Sequence, residues 1–559
     1  MIHARQQRSL RKWRRGVAGI LCAVVIMIGS VGQAQEHRAP HLRKQGTATQ
    51  LMVHGQPFLI LGGELGNSSA SSLEYLRPHW KKFQSMHINT ILAPVYWELI
   101  EPEEGKFDFS LVDGLMRDAR THKIKLVLLW FGSWKNSMSC YAPAWVKKDV
   151  DRFPRSQNRS GQSMEMLTSF SRKNLEADKK AFSALMRHLR TVDARQHTVI
   201  MVQVENEVGM IPDARDYYGE ATKGFQSAVP AEMMRYLQEH KADLQPEFGA
   251  LWEKGGFKTS GTWEEVFGKG LHTDEIFTAW NYARYVEEIT AAGKKEYGLP
   301  MFVNAALIRE GYRPGQYPSG GPLPHLMDVW KAGAPSVDFF APDIYHGSFV
   351  DWSSKFRRAD NPLFIPEAGL SHRSAADAFY AIGQHDAMGF CPFSIESFDP
   401  AGSNDPAGNR LTRAYDLLTQ LAPVILEKQG KGVTAGVSVE QSRPETKATF
   451  GEYVMTVSFE PLDRWASKPA DTDPRGGGII IQLGSDEFIV AGSGLIVTFQ
   501  SLHPERPLAG ILSIDEGVYE QGVWKPGRRL NGDQSHQGRH MRLPYRDFGI
   551  QRVTLYQFK

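Results

Sequence analysis

The chain of 559 residues carries 65 Lys and Arg against 62 Asp and Glu, and its formal net charge is +3. A balance so close to neutral gives no reason to expect nucleic acid or an anionic membrane as a partner. The length exceeds what one hydrophobic core supports, so two domains are expected.

The N-terminal segment has the composition of a secretory signal peptide. Residues 1–16 hold six Lys and Arg and no acid, residues 17–31 are apolar, and Gly32-Gln33-Ala34 supplies small residues for cleavage. We expect residues 1–34 to be removed, which takes the net charge to about −3 and directs the protein to the periplasm or the cell exterior. The alternative is a membrane anchor, but about 15 apolar residues fall short of the roughly 20 that a span needs. No stable membrane span is therefore expected after cleavage.

From about residue 58 to residue 420, short apolar runs alternate with longer segments of helical periodicity. Most of the runs are nearly continuous in Val, Ile, Leu and Phe, as expected of parallel strands buried on both faces. Eight strands with intervening helices predict a (β/α)8 TIM barrel, and we assign residues 35–425 to it. The eight runs are Phe58–Gly63, Asn89–Tyr96, Lys125–Phe131, Thr198–Val204, Met301–Asn304, Val337–Tyr345, Leu363–Pro366 and Gly389–Ile395.

The connection after the fourth run, Gly209 to Pro300, is the longest in the predicted barrel. It holds extra helical pieces at Glu232–His240 and Thr262–Lys269 before the helix predicted at Glu275–Tyr297. An insertion at this face of a barrel commonly walls the active site, and the alternative is a solvated decoration.

Beyond about residue 428 the pattern changes to short β-branched runs, many alternating with period two, separated by Asp, Gly, Pro and Ser. This pattern predicts a smaller all-β sandwich over residues 426–559. Of the three cysteines, Cys22 lies in the leader, while Cys140 and Cys391 are predicted near opposite rims of the barrel. A disulfide needs Cα atoms within about 7 Å, so we expect two free thiols.

Two glutamates end apolar runs on predicted strands four and seven. Glu207 follows the fourth run and Glu367 the seventh, so both are expected at the catalytic rim of the barrel, facing each other across its mouth. Two carboxyl groups about 5–5.5 Å apart are what a retaining glycosidase uses. Glu205 competes with Glu207 for the acid role, and spacing alone does not separate them.

Two neighbouring side chains fit the same chemistry. Asn206 could donate its amide to the sugar 2-hydroxyl, and Tyr345, at the end of the sixth run, could donate a hydrogen bond to Glu367 and keep it ionised. The alternative for Tyr345 is a packed aromatic ring. The sequence shows no metal-ligand spacing, phosphate-binding loop or nucleophile elbow, so neither a metal nor a cofactor is expected.

Residues 203–209, Gln-Val-Glu-Asn-Glu-Val-Gly, closely resemble the acid/base motif of glycoside hydrolase family 35, the β-galactosidases. Residues 97–102, beginning with Trp97, and residues 105–109 resemble that family's second-strand signature, and residues 366–369 resemble its nucleophile strand. The resemblance spans roughly residues 55–420. It implies that Glu207 is the acid/base and Glu367 the nucleophile, with net retention.

Other positions depart from the family pattern where relatives line the sugar pocket. Pro94 stands where a Tyr is usual, with Tyr96 nearby, and Lys135-Asn136 replaces an Ala-Glu pair. Glu64 follows the Gly-Gly of the first strand in place of His. The resemblance therefore suggests Tyr96, Trp97, Asn136 and Glu64 as substrate-binding residues of a divergent pocket.

The family resemblance implies an exo-acting retaining β-galactosidase of a secreted bacterial branch that trims plant polysaccharides such as xyloglucan. Alternatives within the clan are a β-glucosidase, an α-L-arabinopyranosidase or a family 42-like β-galactosidase. A catalytically idle carbohydrate-binding barrel is the alternative from a different class. The sequence does not indicate the oligomeric state.

Overall fold

The computed structural model describes residues 38–398, 406–440, 442–460, 475–545 and 547–559. The predicted signal peptide, residues 1–34, lies outside the described residues. Among the helices described, none combines the length and apolarity that crossing a membrane requires.

A closed barrel of eight parallel strands forms the centre of the fold, and each strand coincides with one of the eight apolar runs. The prediction of a TIM barrel is therefore confirmed. The strands are β4 (Ile60–Glu64), β5 (Thr90–Tyr96), β6 (Lys125–Lys135), β9 (Val199–Asn206), β10 (Met301–Ala306), β11 (Phe339–Ile344), β12 (Ile365–Ala368) and β13 (Gly389–Pro392).

Smaller sheets lie outside the barrel wall. One is antiparallel and formed by β1 (His41–Gln45), β2 (Ala48–Val53) and β3 (Gln56–Phe58), which the sequence analysis did not separate from the first barrel strand. Gln50 of this sheet donates to the Leu426 carbonyl at 2.7 Å, which ties it to the last barrel helix. The other pairs β7 (Arg155–Gln157) with β8 (Ser163–Leu167).

Amphipathic helices surround the strands, with their apolar stripes facing the barrel. Those of the barrel are α1 (Leu73–Leu76), α2 (His79–Ser85), α3 (Trp97–Ile100), α4 (Ser110–Thr121), α5 (Ala144–Lys148), α6 (Arg172–Asp193), α11 (Leu271–Glu296), α12 (Met327–Gly333), α13 (Phe349–Phe356), α14 (Ser374–His385) and α15 (Pro406–Lys428).

The long connection between β9 and β10 is helical, as predicted. A capping box at Thr262, with Glu265 as its reciprocal partner, starts the last short helix before α11. The insertion holds α7 (Gly219–Gln226), α8 (Ala231–Glu239), α9 (Pro246–Lys254) and α10 (Trp263–Phe267).

The C-terminal part consists of two antiparallel sheets that enclose a second hydrophobic core, which confirms the predicted all-β region. One sheet has the order β14-β17-β18-β23-β20-β21 and the other β15-β16-β19-β22. The strands are β14 (Thr434–Glu440), β15 (Glu445–Phe450), β16 (Tyr453–Phe459), β17 (Arg475–Gln482), β18 (Glu487–Ser493), β19 (Leu495–Ser501), β20 (Leu508–Glu520), β21 (Val523–Leu530), β22 (Met541–Leu543) and β23 (Gly549–Phe558).

Both predicted free thiols are present as free cysteines. Cys140 is exposed in the connection after β6, and Cys391 is buried in β13.

Candidate active site

Glu207 and Glu367 meet at the carboxyl ends of the fourth and seventh barrel strands. Glu207 directly follows β9, Glu367 lies in β12, and both side chains are buried. Together with Asp343 of β11, each offers a carboxylate oxygen, and these three oxygens lie within 4.8 Å of one another. The two predicted carboxylates therefore lie together at the carboxyl-end rim of the barrel, as expected for residues at strand ends.

A cavity of about 680 Å³ opens over these carboxylates, a size usual for ligand pockets. Its walls come from the barrel's carboxyl-end loops, chiefly those after β6, β10 and β11. The predicted residues Asn136 and Tyr345 line it beside the two glutamates. Other lining residues are Asn67, Lys135, Ile211, Ala306, Leu307, Arg309, Tyr312, Gln316, Tyr317, Pro318, His346 and Phe393.

Each central carboxylate is held by a specific donor. The Tyr345 hydroxyl donates to Glu367, and the Asn136 amide donates to Glu207. The backbone N–H of Glu207 donates to Asn304 Oδ1 at 3.0 Å, and Asn304 donates in turn to Asp343 at 2.6 Å. These contacts fix the orientation of both glutamates before any ligand arrives.

Burial and mutual repulsion govern the charge of this cluster. Burial, and then the charge of Glu207, raise the pKa of Glu367 to about 7, while Lys135 and the Tyr345 hydroxyl oppose the rise. The pKa of Glu64 is raised well above its usual value by burial and then by Glu367, with which it forms a side-chain hydrogen bond. Burial likewise raises the pKa of Asp343. Burial and the neighbouring carboxylates therefore act against ionisation of all three groups.

Glu64 and Asn206 lie at the base of the site rather than on the cavity wall. Glu64 is buried at the end of β4 against Glu367, and its Oε1 atom has no other partner among the described residues. Asn206 is also buried, and neither atom of its amide has a hydrogen-bond partner within the described part of the chain. A ligand hydroxyl would satisfy the amide of Asn206, as predicted for the sugar 2-hydroxyl.

Glu205 does not face the cavity. Its carboxylate accepts the backbone N–H groups of Ser133 at 3.2 Å and Trp134 at 2.7 Å, and it forms a side-chain hydrogen bond with Asp178 of helix α6. Residues 205 and 207 both adopt left-handed backbone conformations, with φ of 60° and 45°. The structure thus distinguishes Glu205 from Glu207, because only the Glu207 side chain lines the cavity; sequence spacing alone could not distinguish them.

Tyr96 and Trp97, suggested as substrate-binding residues, are not among the residues that line the cavity. Trp97 begins helix α3, is fully buried, and donates from Nε1 to Glu101 at 3.0 Å. Tyr96 is buried against the rings of Phe131 and Tyr141. Tyr96 is the last residue of β5, and Trp97 is the first residue of the helical turn that follows it.

Several residues of the site were not predicted as such. Asn304 and Asp343 are polar residues near the ends of apolar runs, the same signal that identified the glutamates. Lys135 was noted only as a departure from the family pattern. Arg309 and Tyr312 lie in a loop without periodicity, so no sequence signal indicates them. The spacing of Glu207, Asp343 and Glu367 could also hold a cation, but two of these carboxylates are the predicted catalytic pair.

Residues 71–254 match the glycoside hydrolase family 42 model, described as β-galactosidase, and residues 411–542 match a domain of unknown function, DUF5597. A Rattus norvegicus protein named β-galactosidase-1-like protein 3 is 28% identical over 31% of this chain and 28% of its own length. A β-galactosidase of Xanthomonas manihotis is 24% identical over 37% of this chain and 33% of its own length. The chain thus spans about a third or less of these relatives.

Among solved structures, a β-galactosidase from Bacillus circulans sp. alkalophilus superposes with a TM-score of 0.46 at 14% identity, covering 66% of this chain and 57% of that one. The specific assignment to family 35 is not confirmed, because the matching model is that of family 42. Residues 71–254 of the barrel are therefore similar to glycoside hydrolases of the β-galactosidase type.

Proposed function

We propose that this protein is a retaining exo-glycosidase that releases terminal β-D-galactosyl residues from oligosaccharides or from plant polysaccharide side chains such as those of xyloglucan. Glu207 acts as the acid/base and Glu367 as the nucleophile. The observation that carries the proposal is the approach of their carboxylate oxygens to within 4.8 Å. This spacing fits direct attack on the sugar, whereas inverting enzymes separate the carboxyl groups by about 6.5–9.5 Å to admit a water.

The reaction proceeds in two displacements. In the first, a Glu367 oxygen bonds to the anomeric carbon while the bond to the leaving oxygen breaks and Glu207 transfers its proton to that oxygen. In the second, Glu207 takes a proton from water, the water oxygen attacks the anomeric carbon, and the bond to Glu367 breaks. Two inversions give net retention.

The surrounding contacts support these roles. The hydroxyl of Tyr345 donates to Glu367 and favours its ionised form, which is the form that attacks. Asn136 donates to Glu207 and holds it beside the leaving oxygen. The unpartnered amide of Asn206 is available for a hydrogen bond to the sugar that strengthens toward the transition state.

We further propose that residues 1–34 direct export to the periplasm or the cell exterior, where polysaccharide fragments are available. The composition of this segment supports this proposal. N-terminal sequencing of the protein purified from its host should begin at residue 35. An N-terminus still carrying residues 1–34 would contradict export by cleavage.

Hydrolysis of a panel of 4-nitrophenyl glycosides tests the function. We expect a strong preference for β-galactoside over β-glucoside, α-L-arabinopyranoside and β-xyloside, with β-galactose as the first-formed anomer by NMR. Glu64, Lys135 and Asn136 at this site depart from the family pattern. A preference for another glycoside would therefore change the proposed sugar and leave the proposed two-glutamate mechanism in place. Inactivity on the whole panel, with oligosaccharide binding retained, would favour an idle binding barrel.

A further inference from the structure

A second cavity, lined by charged side chains, lies where the C-terminal sheets meet the barrel. Its volume is about 630 Å³, within the usual range for a small-ligand site. The barrel contributes the loops after β11 and β12 and the first turn of helix α14, and the C-terminal part contributes the end of β14 and the start of β17. Neither Glu207 nor Glu367 is among its lining residues. A ligand in this cavity would therefore be held by groups other than the proposed catalytic pair.

Buried polar atoms in this cavity lack hydrogen-bond partners. Arg475 is 8% exposed and Asp377 is 9% exposed. The guanidinium of Arg475 donates from Nη2 to Glu440, and its Nη1 lies 3.5 Å from Asp377 Oδ1. Among the described residues, however, nothing forms a hydrogen bond with Arg475 Nε, Asp377 Oδ1 or Nε2 of His372. Burying polar atoms without partners is costly, so their concentration at one cavity indicates that a polar ligand binds there.

The charges of the lining favour an anion. Three guanidinium groups face two carboxylates, and the five residues are Arg373, Arg443, Arg475, Asp377 and Glu440. Both carboxylates lie beside Arg475, whereas Arg443 donates to a neutral group, the Ser438 carbonyl, at 3.3 Å. Burial raises the pKa of Asp377 to about 7, against the opposing effect of Arg475, so this acid is only weakly repulsive to an anion near neutral pH.

We propose that this cavity binds the oxyanion of a small ligand, a carboxylate or a phosphate, and that the ligand ties the C-terminal sheets to the barrel. Arg443 and Nε of Arg475 supply donors from the C-terminal part, and Nε2 of His372, when protonated, supplies one from the barrel. The first turn of helix α14 borders the same cavity, and its dipole favours negative charge there. The inference does not depend on the proposed glycosidase activity.

Calorimetric titration of the full-length protein at low ionic strength tests the site, with D-glucuronate and inorganic phosphate as probes. We expect the wild type to bind at least one of them and Arg443→Ala to bind it at least about tenfold more weakly, the effect of losing a charge-assisted hydrogen bond. Arg506→Ala removes an exposed arginine of the C-terminal part outside the cavity, so this matched control should bind as the wild type does. Tighter binding of glucuronate would identify a sugar acid as the ligand, and tighter binding of phosphate a phosphate.

Thermal unfolding tests whether the ligand ties the two parts together. A ligand that binds only the folded protein raises the unfolding temperature as its concentration increases. The bound oxyanion should therefore raise this temperature for the wild type and for Arg506→Ala, but not for Arg443→Ala. Equal binding by all three proteins, or a wild type that binds neither probe, would overturn the inference.

Asp377→Asn tests whether charge is what the cavity recognises. At pH 8 this change removes a negative charge beside Arg475, so the oxyanion should bind about two- to tenfold more tightly. Arg373 and Glu440 also face this carboxylate, and the variant retains both. A ligand recognised through its hydroxyl groups would instead lose an acceptor in Asp377→Asn, so weaker binding by this variant would contradict an oxyanion site.

Discussion

Glu205 and Asp178 form a buried, hydrogen-bonded carboxyl pair behind the strand that delivers Glu207. Burial raises the pKa of both groups, and the charge of Asp178 raises the pKa of Glu205 further. The backbone N–H of Ser133 donates to both carboxylates, to Asp178 Oδ2 at 3.0 Å and to Glu205 Oε1 at 3.2 Å. Glu205 is therefore held by the end of β6, next to Asn136, and this arrangement supports Glu207 rather than Glu205 as the proposed acid.

The first prediction separates these two acids by chemical rescue. Glu207→Gln should reduce kcat/KM for poorly activated galactosides by about 10²–10⁴-fold, the usual contribution of a general acid. Aryl galactosides with good leaving groups need little protonation, so they should still form the glycosyl-enzyme, and added azide should release it as β-galactosyl azide. Glu205→Gln is the matched control, and azide should not rescue it. Rescue of Glu205→Gln, and not of Glu207→Gln, would reverse the assignment.

The second prediction concerns the hydroxyl of Tyr345. This hydroxyl lowers the pKa of Glu367 against the effects of burial and of Glu207. In Tyr345→Phe the pKa of Glu367 should rise further, so the acidic limb of the kcat/KM profile should move up by about one pH unit, the value of one hydrogen bond.

The pH profile of wild type and variant checks this prediction, and Tyr236→Phe, on helix α8 outside the catalytic cavity, is the control. A Tyr345→Phe enzyme that is slower at every pH, with an unmoved acidic limb, would show that the tyrosine only shapes the pocket.

The third prediction is that ionisation of Glu367, the proposed nucleophile, lowers the stability of the folded protein at alkaline pH. The pKa of Glu367 is raised from 4.5 to about 7, so the folded protein binds this proton more tightly than the unfolded chain does. The resulting stabilisation is complete at acidic pH and is lost as the pH rises through about 7. Glu367→Gln cannot ionise, so at pH 8 it should be more stable than the wild type by up to about 3 kcal/mol.

Thermal unfolding at pH 5 and pH 8 measures this difference, which should be small at pH 5. Glu288→Gln is a control for which the expected change in stability at pH 8 has the opposite sign. Burial acts to raise the pKa of Glu288, but its hydrogen bonds from Lys179 and Arg172 outweigh burial and the pKa is lowered. Removing this carboxylate should destabilise the protein at pH 8. If Glu367→Gln were less stable than wild type at both pH values, the raised pKa would be the wrong explanation.

The sequence predicted those parts of the site that follow from strand ends. Each apolar run that ends in a polar residue delivers that residue to one rim, which is why Glu207, Glu367 and Tyr345 were found. Trp97 was expected in the pocket but does not line it. A family motif gives the type of residue at a position, not the direction in which a helical turn points its side chain. Tyr312 could not be predicted, since its loop owes its position to Tyr317 and Glu275, whose contact is set by tertiary structure.

In the C-terminal part, the sequence predicted an all-β region, but its longest hairpin does not show the alternating pattern on which that prediction rests. Strands β20 and β21 contain Gly510, Gly517 and Pro526 and expose much of their surface, so they lack the pattern that marks a half-buried strand. β20 is held in the sheet by its pairing with β23, and β21 by its pairing with β20.

The fourth prediction concerns the packing of the C-terminal sheet on the barrel. Gly436 of β14 lies against helix α14, and a Cβ atom there would come within 2.4 Å of the Tyr380 carbonyl oxygen and 2.6 Å of the Gln384 nitrogen. Both are backbone atoms that cannot rotate away, so Gly436→Ala should push the sheet from the helix. Overpacking of this kind costs about 1–3 kcal/mol. Thermal unfolding should therefore shift to lower temperature.

Gly249→Ala provides the opposite case on the same chain. Gly249 lies inside helix α9, and a Cβ atom there meets nothing within 4 Å. Alanine favours the helix over glycine by about 1 kcal/mol, so this variant should be at least as stable as the wild type. If Gly436→Ala matched Gly249→Ala in unfolding temperature, the close contact between β14 and α14 would not be holding the sheet to the barrel. A loss confined to Gly436→Ala would establish that contact as the point where the two parts of the protein are joined.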